Sequence, residues 1–412
     1  MSNNGVLNKK TYDSVKLGEV LISAKGKKPK FVASEPSDGW LPYINIKAFE
    51  QHVFDEYTDG ENCLPCEDGD LLMVWDGSRS GMVGKAYKGY VGSTLAKLSV
   101  PGVINKFLYY FLQGKYRILN SKVKGTGTPH VNPEILGNFD FPIIPMEEQL
   151  RIVAKIEELF SELDKGVEAL QKMKMQLKLY RQAVLKDAFK GKLTNDTPVK
   201  KCLLKEYIEN PRYGTSKKCT YEVSKNSVAV YRIPNIDYKQ GVIDHNDIKY
   251  ATFLDNELDS LRLNSNDILI IRSNGSISIV GRAALVKETD IKGIFAGYLM
   301  RLRIRDQREL QSKYLLYFLS SHEARTYIEN VAKSTSGVNN INSQEIGKLP
   351  LPIFPYETQM EIISAIESRL SICDKIEQII DESLLKAESM RQSILQMAFE
   401  GKLVTHEEEI NV

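Results

Sequence analysis

The stretch from Phe141 to Thr194, FPIIPMEEQ…SELDK…YRQAVLKDAFKGKLT, returns at a constant offset of 210 as LPIFPYETQ…SICDK…MRQSILQMAFEGKLV, from Leu351 to Val404. Aligned without gaps, 19 of these 54 positions are identical, where average residue usage would give roughly three. A repeat of this length means two copies of one structural unit. The segments between the copies diverge, so the chain reads as one scaffold used twice to present two different surfaces.

The repeated segments read as long helices. In the first, Val153, Ile156, Phe160, Leu163, Val167, Leu170, Leu177 and Val184 fall on a 3-4 spacing. In the second, the series is Ile363, Ile366, Leu370, Cys373, Ile380, Leu384, Ala387 and Ile394. Such spacing makes one apolar seam per helix, as in coiled-coil pairing. Pro145 and Pro355 suit a helix start, Glu147, Glu148 and Glu357 suit the positive end of the helix dipole, and Gly191 and Gly401 suit a left-handed C-terminal cap. About 43 helical residues span roughly 65 Å, a length few single domains need. Connectivity then predicts that the second helix runs back antiparallel to the first, giving a pseudo-two-fold dumbbell.

The blocks upstream of the helices share a plan. Residues 70 to 75 (DLLMVW) and 267 to 271 (DILII) are continuous apolar runs and read as short buried strands. Each leads into a Gly-rich turn, DGSRSGMVGKA or SNGSISIVGRAA, and then into a short helix, KFLYYFL at 106 to 112 or KYLLYFL at 313 to 319. Polar loops, KGTGTPHVN at 124 to 132 and STSGVNNIN at 334 to 342, precede each long helix. The expected fold is α+β: two homologous mixed α/β domains joined by two long helices that form an antiparallel coiled coil with internal pseudo-two-fold symmetry. Its expected parts are domain one at 1–145, a spacer helix at 146–192, domain two at 193–355, a second spacer helix at 356–403 and a tail at 404–412.

A chain of 412 residues, 42% hydrophobic and 26% charged, has the composition of a soluble globular protein. No apolar run reaches the length of a membrane span, and MSNNGVLNKKTYDS lacks the apolar segment of a signal peptide. Five cysteines make no disulfide framework, and an odd number suits a reducing cytoplasm. Cys63 and Cys66 form a CxxC with no second half, so they read as reduced thiols instead of zinc ligands. The net charge of +2 hides local basic clusters: Lys25, Lys27, Lys28 and Lys30; Lys115, Arg117, Lys122 and Lys124; and Arg212, Lys217 and Lys218. Clusters like these can neutralise phosphates in a chain that is nearly neutral overall, although any one of them alone is as readily a solvated loop.

Enzyme-like signals are few. Asn210-Pro211-Arg212-Tyr213 resembles the Asn-Pro-Pro-Tyr/Phe loop of amino-group methyltransferases, but its second proline is missing and no glycine-rich cofactor loop accompanies it. It reads as a turn into a basic loop. Asp237 with Asp247 and Lys249 imitates the carboxylate-lysine pattern of metal-dependent nucleases. Setting Tyr43-Ile44-Asn45-Ile46 against Ile233-Pro234-Asn235-Ile236 puts Lys47 where Asp237 stands, which argues against catalysis there. His52, His130, His245, His322 and His406 form no HxH or HExxH pattern, and there is no P-loop.

What remains is a binding inventory. Block one offers Arg79, Ser80, Lys85, Lys124, Thr126, Thr128, His130 and Asn132. Block two offers Tyr213, Ser216, Lys217, Lys218, Arg232, Arg272, Asn274, Ser276, Arg282, Ser334, Asn339 and Asn340. Arginine and lysine pair with guanine edges, asparagine with adenine, and small hydroxyls with bases or phosphate. Any one of these is more often a plain surface residue; as a set on loops of duplicated domains they favour nucleic acid. Met173, Met175 and Tyr180, off the seam of the first helix, are candidate partner-docking residues.

The Pro-x-x-Glu-Gln-type helix starts (Pro145 to Gln149; Pro355 to Gln359, with Thr358 replacing glutamate) resemble those of the specificity (S) subunits of type I restriction-modification enzymes. So do the helix ends Ala188-Phe189-Lys190-Gly191-Lys192-Leu193 and Ala398-Phe399-Glu400-Gly401-Lys402-Leu403. The likeness covers essentially the whole chain. It implies a non-catalytic subunit that reads a bipartite double-stranded DNA site, one half per recognition domain. The helix pair would fix the gap and dock two methyltransferase (M) subunits, which restriction (R) subunits join. S-adenosylmethionine, ATP and magnesium would belong to those partners, with no cofactor in this chain, no membrane partner and a cytoplasmic location. The alternatives are the recognition subunit of another multisubunit restriction or phage-defence methyltransferase, a self-sufficient DNA methyltransferase or nuclease, and a spacer protein without a DNA role.

Overall fold

The computed structural model describes residues 12–125, 127–194, 196–198, 200–332 and 337–404. The chain divides into two compact units, Met1–Leu170 with Asp381–Val412, and Gln171–Ile380. Each unit thus holds one mixed domain, the start of one long helix and the end of the other.

In the first unit the apolar run DLLMVW becomes the strand Leu71–Val74, whose four residues are at most 2% exposed. It lies between Leu95–Ser99 and Val83–Lys85, with Ile22–Lys25 on the outer edge, all antiparallel. A second sheet orders Tyr57–Thr58, Leu41–Ile44, Gly89–Val91 and Pro65–Cys66, and its middle pair is parallel, Tyr43 facing Tyr90 and Ile44 facing Val91. The second unit repeats the plan. Ile268–Ile271 lies between Leu299–Leu302 and Ala283–Leu285, with Arg212–Tyr213 on the outer edge. A three-stranded sheet pairs Ser227–Tyr231 in parallel with Ile294–Phe295, through Val230 with Ile294 and Tyr231 with Phe295.

Those parallel pairs correct the register read from sequence. They equate Tyr43-Ile44 with Val230-Tyr231, which sets Lys47 against Pro234 and not against Asp237. The short Asn-Ile likeness lay on different backbone positions. The post-strand helices are also longer than the apolar pattern suggested. Asn105–Ser121 runs well past its apolar heptapeptide, and Ser312–Leu319 is followed by His322–Val331, capped by the Ser321 hydroxyl accepting from the Ala324 amide.

The long helices are Met146–Phe189 and Tyr356–Phe399, each 44 residues. In the first unit Val153, Ile156 and Phe160 share a core with Ile394, Leu395 and Ala398; in the second, Val184, Leu185 and Ala188 share one with Ile362, Ile363 and Ile366. Start meets end in both, so the pairing within each unit is antiparallel. The repeated Asp and Arg of the motif meet as well. Arg181 donates to Asp374 at 2.7 Å and Glu377 at 3.0 Å in the second unit, and Arg391 pairs with Asp164 in the first.

The helix-end motif has a packing reason. Phe189 stands edge-on to Tyr314 and Phe318 with centroids 5.1 Å away, and Phe399 does the same to Phe107 at 5.1 Å and Phe111 at 5.3 Å. Gly191 and Gly401, at φ 75° and 69°, then turn the chain so that the Lys192 and Lys402 amides donate back to Asp187 and Met397, each at 2.9 Å. This is the left-handed cap that glycine adopts without a side-chain clash.

The helix-start motif is a clamp. Gln149, 1% exposed, accepts from the Ile104 amide at 3.0 Å and donates to the Gly102 and Ile144 carbonyls at 3.1 and 3.0 Å. Gln359, fully buried, accepts from the Gln311 amide at 2.9 Å and donates to the Glu309 and Phe354 carbonyls, both at 2.9 Å. An amide side chain is the group that can accept and donate here at once. Lys106 with Glu157 and Lys313 with Glu367, both at 2.8 Å, add a matched ion pair beside each clamp.

Candidate nucleic-acid interface

The two loop families named from the sequence come together in space. In the first unit the Gly-rich turn meets the polar loop through a bridge of Asp76 with His130, the Gly77 amide donating to the Pro129 carbonyl at 2.7 Å and the Val131 amide to the Trp75 carbonyl at 2.9 Å. In the second, Ser273–Asn274 pairs antiparallel with Asn339–Asn340, and the Ile341 amide donates to the Arg272 carbonyl at 2.8 Å. Turn and loop form one small ribbon on each domain, at the end of its central strand. The backbone plan is shared and the side chains on it differ.

In the second unit the ribbon gathers a preorganised set. Arg272 lies over the Tyr213 ring with its guanidinium carbon 4.3 Å from the centroid, and its Nη1 donates to the Gly297 carbonyl at 3.3 Å. Tyr213 is held in turn, its hydroxyl oxygen accepting from the Ser343 amide at 2.9 Å. Asn274 accepts from the Ser276 amide at 2.8 Å, and Asn339 donates to the Gly275 carbonyl at 2.9 Å. Ser276 and Asn340 are exposed beside them. Arg282 stacks on Tyr238 at 5.3 Å and donates to the Ser278 carbonyl at 3.1 Å; burial and the neighbouring Arg325 pull its pKa down from the arginine range. Ser216 and Lys218 lie exposed on the segment after Tyr213, where Lys217 is tied to Glu257 at 2.7 Å and packed over Phe253.

Arg232 stands apart from this set. It is half-buried and its Nη2 is tied to Asp247, with donations of 2.6 Å to the carbonyl and 2.8 Å to the carboxylate, so its assignment to base contact is corrected to a structural tie. Tyr221 and Arg232 together hold the Asp247 carboxyl below the usual range. Asp237 accepts from the amides of Lys239 and Gln240 in a turn, and Lys249 lies over Tyr221 at 4.6 Å. No group of carboxylates, histidines and cysteines among the described residues is gathered as for a metal ion.

In the first unit, Arg79 reaches Glu50 at 2.6 Å from the exposed turn, and Lys124 pairs with Glu134 at 3.0 Å while its backbone bonds His130 in both directions. Thr128 is exposed on the loop and His130 is half-buried beside it. The position that carries Tyr213 in the second unit carries Lys25 here, judged by their partners Met300 and Ala96, and Lys25 pairs with Asp76 at 2.6 Å. Ser80 and Lys85 change assignment, and Asn132 gains a capping role that leaves its NH₂ group free of that bond. Ser80 is fully buried and donates to the Gly77 and Pro129 carbonyls at 2.6 and 3.2 Å, so it closes the loop and faces no base. Asn132 caps the short helix Pro133–Gly137 by accepting from the Glu134 amide at 3.1 Å. Lys85 lines an apolar cavity of about 360 Å³ with Leu71, Tyr109 and Leu150, away from the ribbon. Thr126 and Ser334 lie outside the described residues.

Cys66 is buried, its thiol donating to the Tyr87 carbonyl at 3.3 Å; burial, then the Asp70 charge, push its pKa up to about 11. Burial and Asp59 also raise the Cys63 thiol, and all the cysteines are free.

On the long helices, Met173, Met175 and Tyr180 are exposed as expected of docking residues. Sequence reasoning missed Leu385 and Met390, which the repeat sets against Met175 and Tyr180 and which are 72% and 54% exposed. The offset of 210 was signal enough to find them.

The fold defines a class: a protein with two homologous loop-bearing domains, each seated on halves of the same two helices. Residues 9–172 match the type I restriction modification DNA specificity domain. The MjaVIII type I specificity subunit of Methanocaldococcus jannaschii is 25% identical over 406 residues, covering 95% of this chain and 93% of the relative. The EcoKI specificity subunit of Escherichia coli is 29% identical over 394 residues, covering 89% and 83%. A chain from a solved type I R-M system superposes with a TM-score of 0.74 at 19% identity over 95% of this chain and 98% of its own length, a likeness of fold. Along most of its length the chain is thus similar to type I restriction enzyme specificity subunits, the family that the doubled helix signatures resemble.

Proposed function

We propose that this chain is the sequence-reading subunit of a type I restriction-modification complex. Each domain reads one half of a bipartite site in duplex DNA through its turn-and-loop ribbon. The observation that carries the reading is this ribbon, built twice on one backbone plan and dressed differently: Lys25, Asp76 and His130 in one copy, Tyr213, Arg272, Asn274 and Asn339 in the other. Two readers of one DNA face need half-sites about one helical turn, roughly 34 Å, or a multiple apart. A stiff helix pair sets such a gap better than a flexible linker. The chemistry belongs to partners: two methyltransferase subunits that bring S-adenosylmethionine, and restriction subunits that bring ATP and magnesium. The site of action is the cytoplasm, where five free thiols stay reduced.

Mapping methylated bases in a genome with and without the gene tests this. The expected result is loss of methylation at one motif made of two unlike half-sites at a constant gap. A single continuous motif, or methylation by the purified chain alone, would sink the reading.

The matched apolar pairs, Met175 with Tyr180 and Leu385 with Met390, are the proposed seats of the two methyltransferase subunits. Exposed side chains tolerate substitution at little cost to folding. Replacing Met175 and Tyr180 by aspartate should therefore leave the chain folded and reduce the bound methyltransferase from two copies to one. Adding the same change at Leu385 and Met390 should remove the second. Native mass spectrometry of the co-expressed subunits counts the copies, and two copies on the fourfold variant would place docking elsewhere.

A further inference from the structure

The recognition turns are not held by their own backbone alone. Their closing hydrogen bonds put them in register. The Gly81 amide donates to Val74 at 2.8 Å and the Met82 amide to Arg79 at 3.1 Å; likewise Gly281 donates to Ile271 at 2.8 Å and Arg282 to Ile279 at 3.1 Å. That register makes Ser78 and Ser80 the counterparts of Ser278 and Val280. In the first unit Asn120, on the helix Asn105–Ser121, donates through Nδ2 to the carbonyls of Ser78 at 2.9 Å and Ser80 at 3.1 Å. In the second unit Arg325, on the helix His322–Val331, donates to the carbonyls of Val280 at 2.6 Å, Ser278 at 3.3 Å and Ile277 at 3.4 Å. Two different side chains, from differently placed helical segments, take hold of the same carbonyl positions.

We infer that Asn120 and Arg325 are positioning residues, each holding its own unit's recognition turn in the shape that meets DNA. The inference rests on the ribbon being the DNA-reading element.

Three further observations support it. The turns sit hard on these helices: a Cβ at Gly81 would lie 2.7 Å from the Leu119 Cβ, and one at Gly281 would lie 2.7 Å from Ile328 Cγ2. Both glycines are at positive φ, 91° and 82°, so each turn is fixed in backbone as well as in contact. Next, Arg325 is only 7% exposed, and its nearby carboxylate, Glu329, is on its own helix at 2.9 Å. Burying a guanidinium is expensive unless its donors are used, and an apolar residue would pack the same gap at less cost. Both Nη1 and Nη2 are used on the turn, and only Nε is left without a partner. Finally, the donor supply matches the demand. An amide offers two N–H groups for the two carbonyls in the first unit, and a guanidinium offers five for the three carbonyls of the longer second turn. Drawing these carbonyls inward toward the helix leaves the opposite face of the turn, with Asn274 and Ser276, for a ligand.

The test uses the chain assembled with its methyltransferase subunits and a randomised duplex DNA library, with bound sequences read after selection. The wild-type complex should select two half-sites. Arg325→Met should lose about tenfold in discrimination within one half-site, the cost of roughly one mismatched base pair, and keep the other intact. Asn120→Leu should do the reverse. Arg325→Lys, which keeps a donor without the fork, should fall between, and it carries the test if the methionine variant fails to assemble. Unchanged selection by an assembled Arg325→Met complex overturns the inference, as does equal loss at both half-sites. Selection of no bipartite motif by the wild type instead overturns the proposed function.

Discussion

Gln359→Leu should destabilise its unit by about 3–5 kcal/mol. Leucine fills nearly the same volume, so packing is not what is lost. The change removes three hydrogen bonds from a fully buried site and leaves the Gln311 amide and the Glu309 and Phe354 carbonyls without that partner. Each buried backbone group stripped of its bond costs about 1–3 kcal/mol. Gln149→Leu should act alike on the other unit through the Ile104 amide and the Gly102 and Ile144 carbonyls. Glutamate is the sharper probe. It keeps the acceptor for the amide but turns an oxygen toward two carbonyls, so Gln→Glu should be at least as damaging at neutral pH and partly relieved in acid, where the protonated carboxyl can donate. Chemical denaturation measures the loss. Both tryptophans, Trp40 and Trp75, lie in the first unit, so their fluorescence should follow Gln149→Leu directly. A loss below about 1 kcal/mol for both leucine variants would mean that the clamp is dispensable.

The clamp also marks how far sequence reasoning reached. Repetition exposed Gln149, Gln359, Phe189, Phe399, Asp164 and Arg391 as parts of a scaffold, because a residue kept in both copies of a diverging chain is held by something common to both. Hydrophobic periodicity found the helices, and continuous apolar runs found the central strands. What it could not supply was which way a loop residue faces. Ser80 and Thr128 are both small hydroxyls on Gly-rich loops, yet one is sealed between two carbonyls and the other is exposed. The difference is made by a partner, Pro129, far along the chain. Arg232 and Arg272 were equally plausible base readers until Asp247 claimed the first and Tyr213 the second. Short likeness misled as well. Asn-Ile stands just before both Lys47 and Asp237, but strand pairing, set by hydrogen bonds to distant residues, places the two on different positions.

Arg272→Ala with Asn274→Ala should abolish the preference for one half-site and leave the other as it was. The geometry gives the reason. Tyr213 fixes the plane of the Arg272 guanidinium, and one nitrogen is tied to Gly297, so the side chain is ordered before DNA arrives and little entropy remains to be lost on binding. The Asn274 side chain is fixed likewise by its oxygen on the Ser276 amide, which leaves its NH₂ as the presented group. Both therefore present donors, and the bases whose preference disappears should carry acceptor edges, guanine first among them. Each such contact is worth about 1–3 kcal/mol of discrimination, so the pair should cost roughly 2–6 kcal/mol at cognate DNA and almost nothing at DNA already altered in that half-site. Fluorescence anisotropy of the assembled complex on the two duplexes measures that difference. Repeating the titration across salt separates base contact from phosphate contact. A lost phosphate contact weakens binding to all sequences and makes the salt dependence shallower by about one unit of slope, whereas a lost base contact leaves the slope in place. If the double variant binds both duplexes equally more weakly with a shallower slope, Arg272 is a phosphate anchor and the reading head of this unit lies elsewhere on the ribbon.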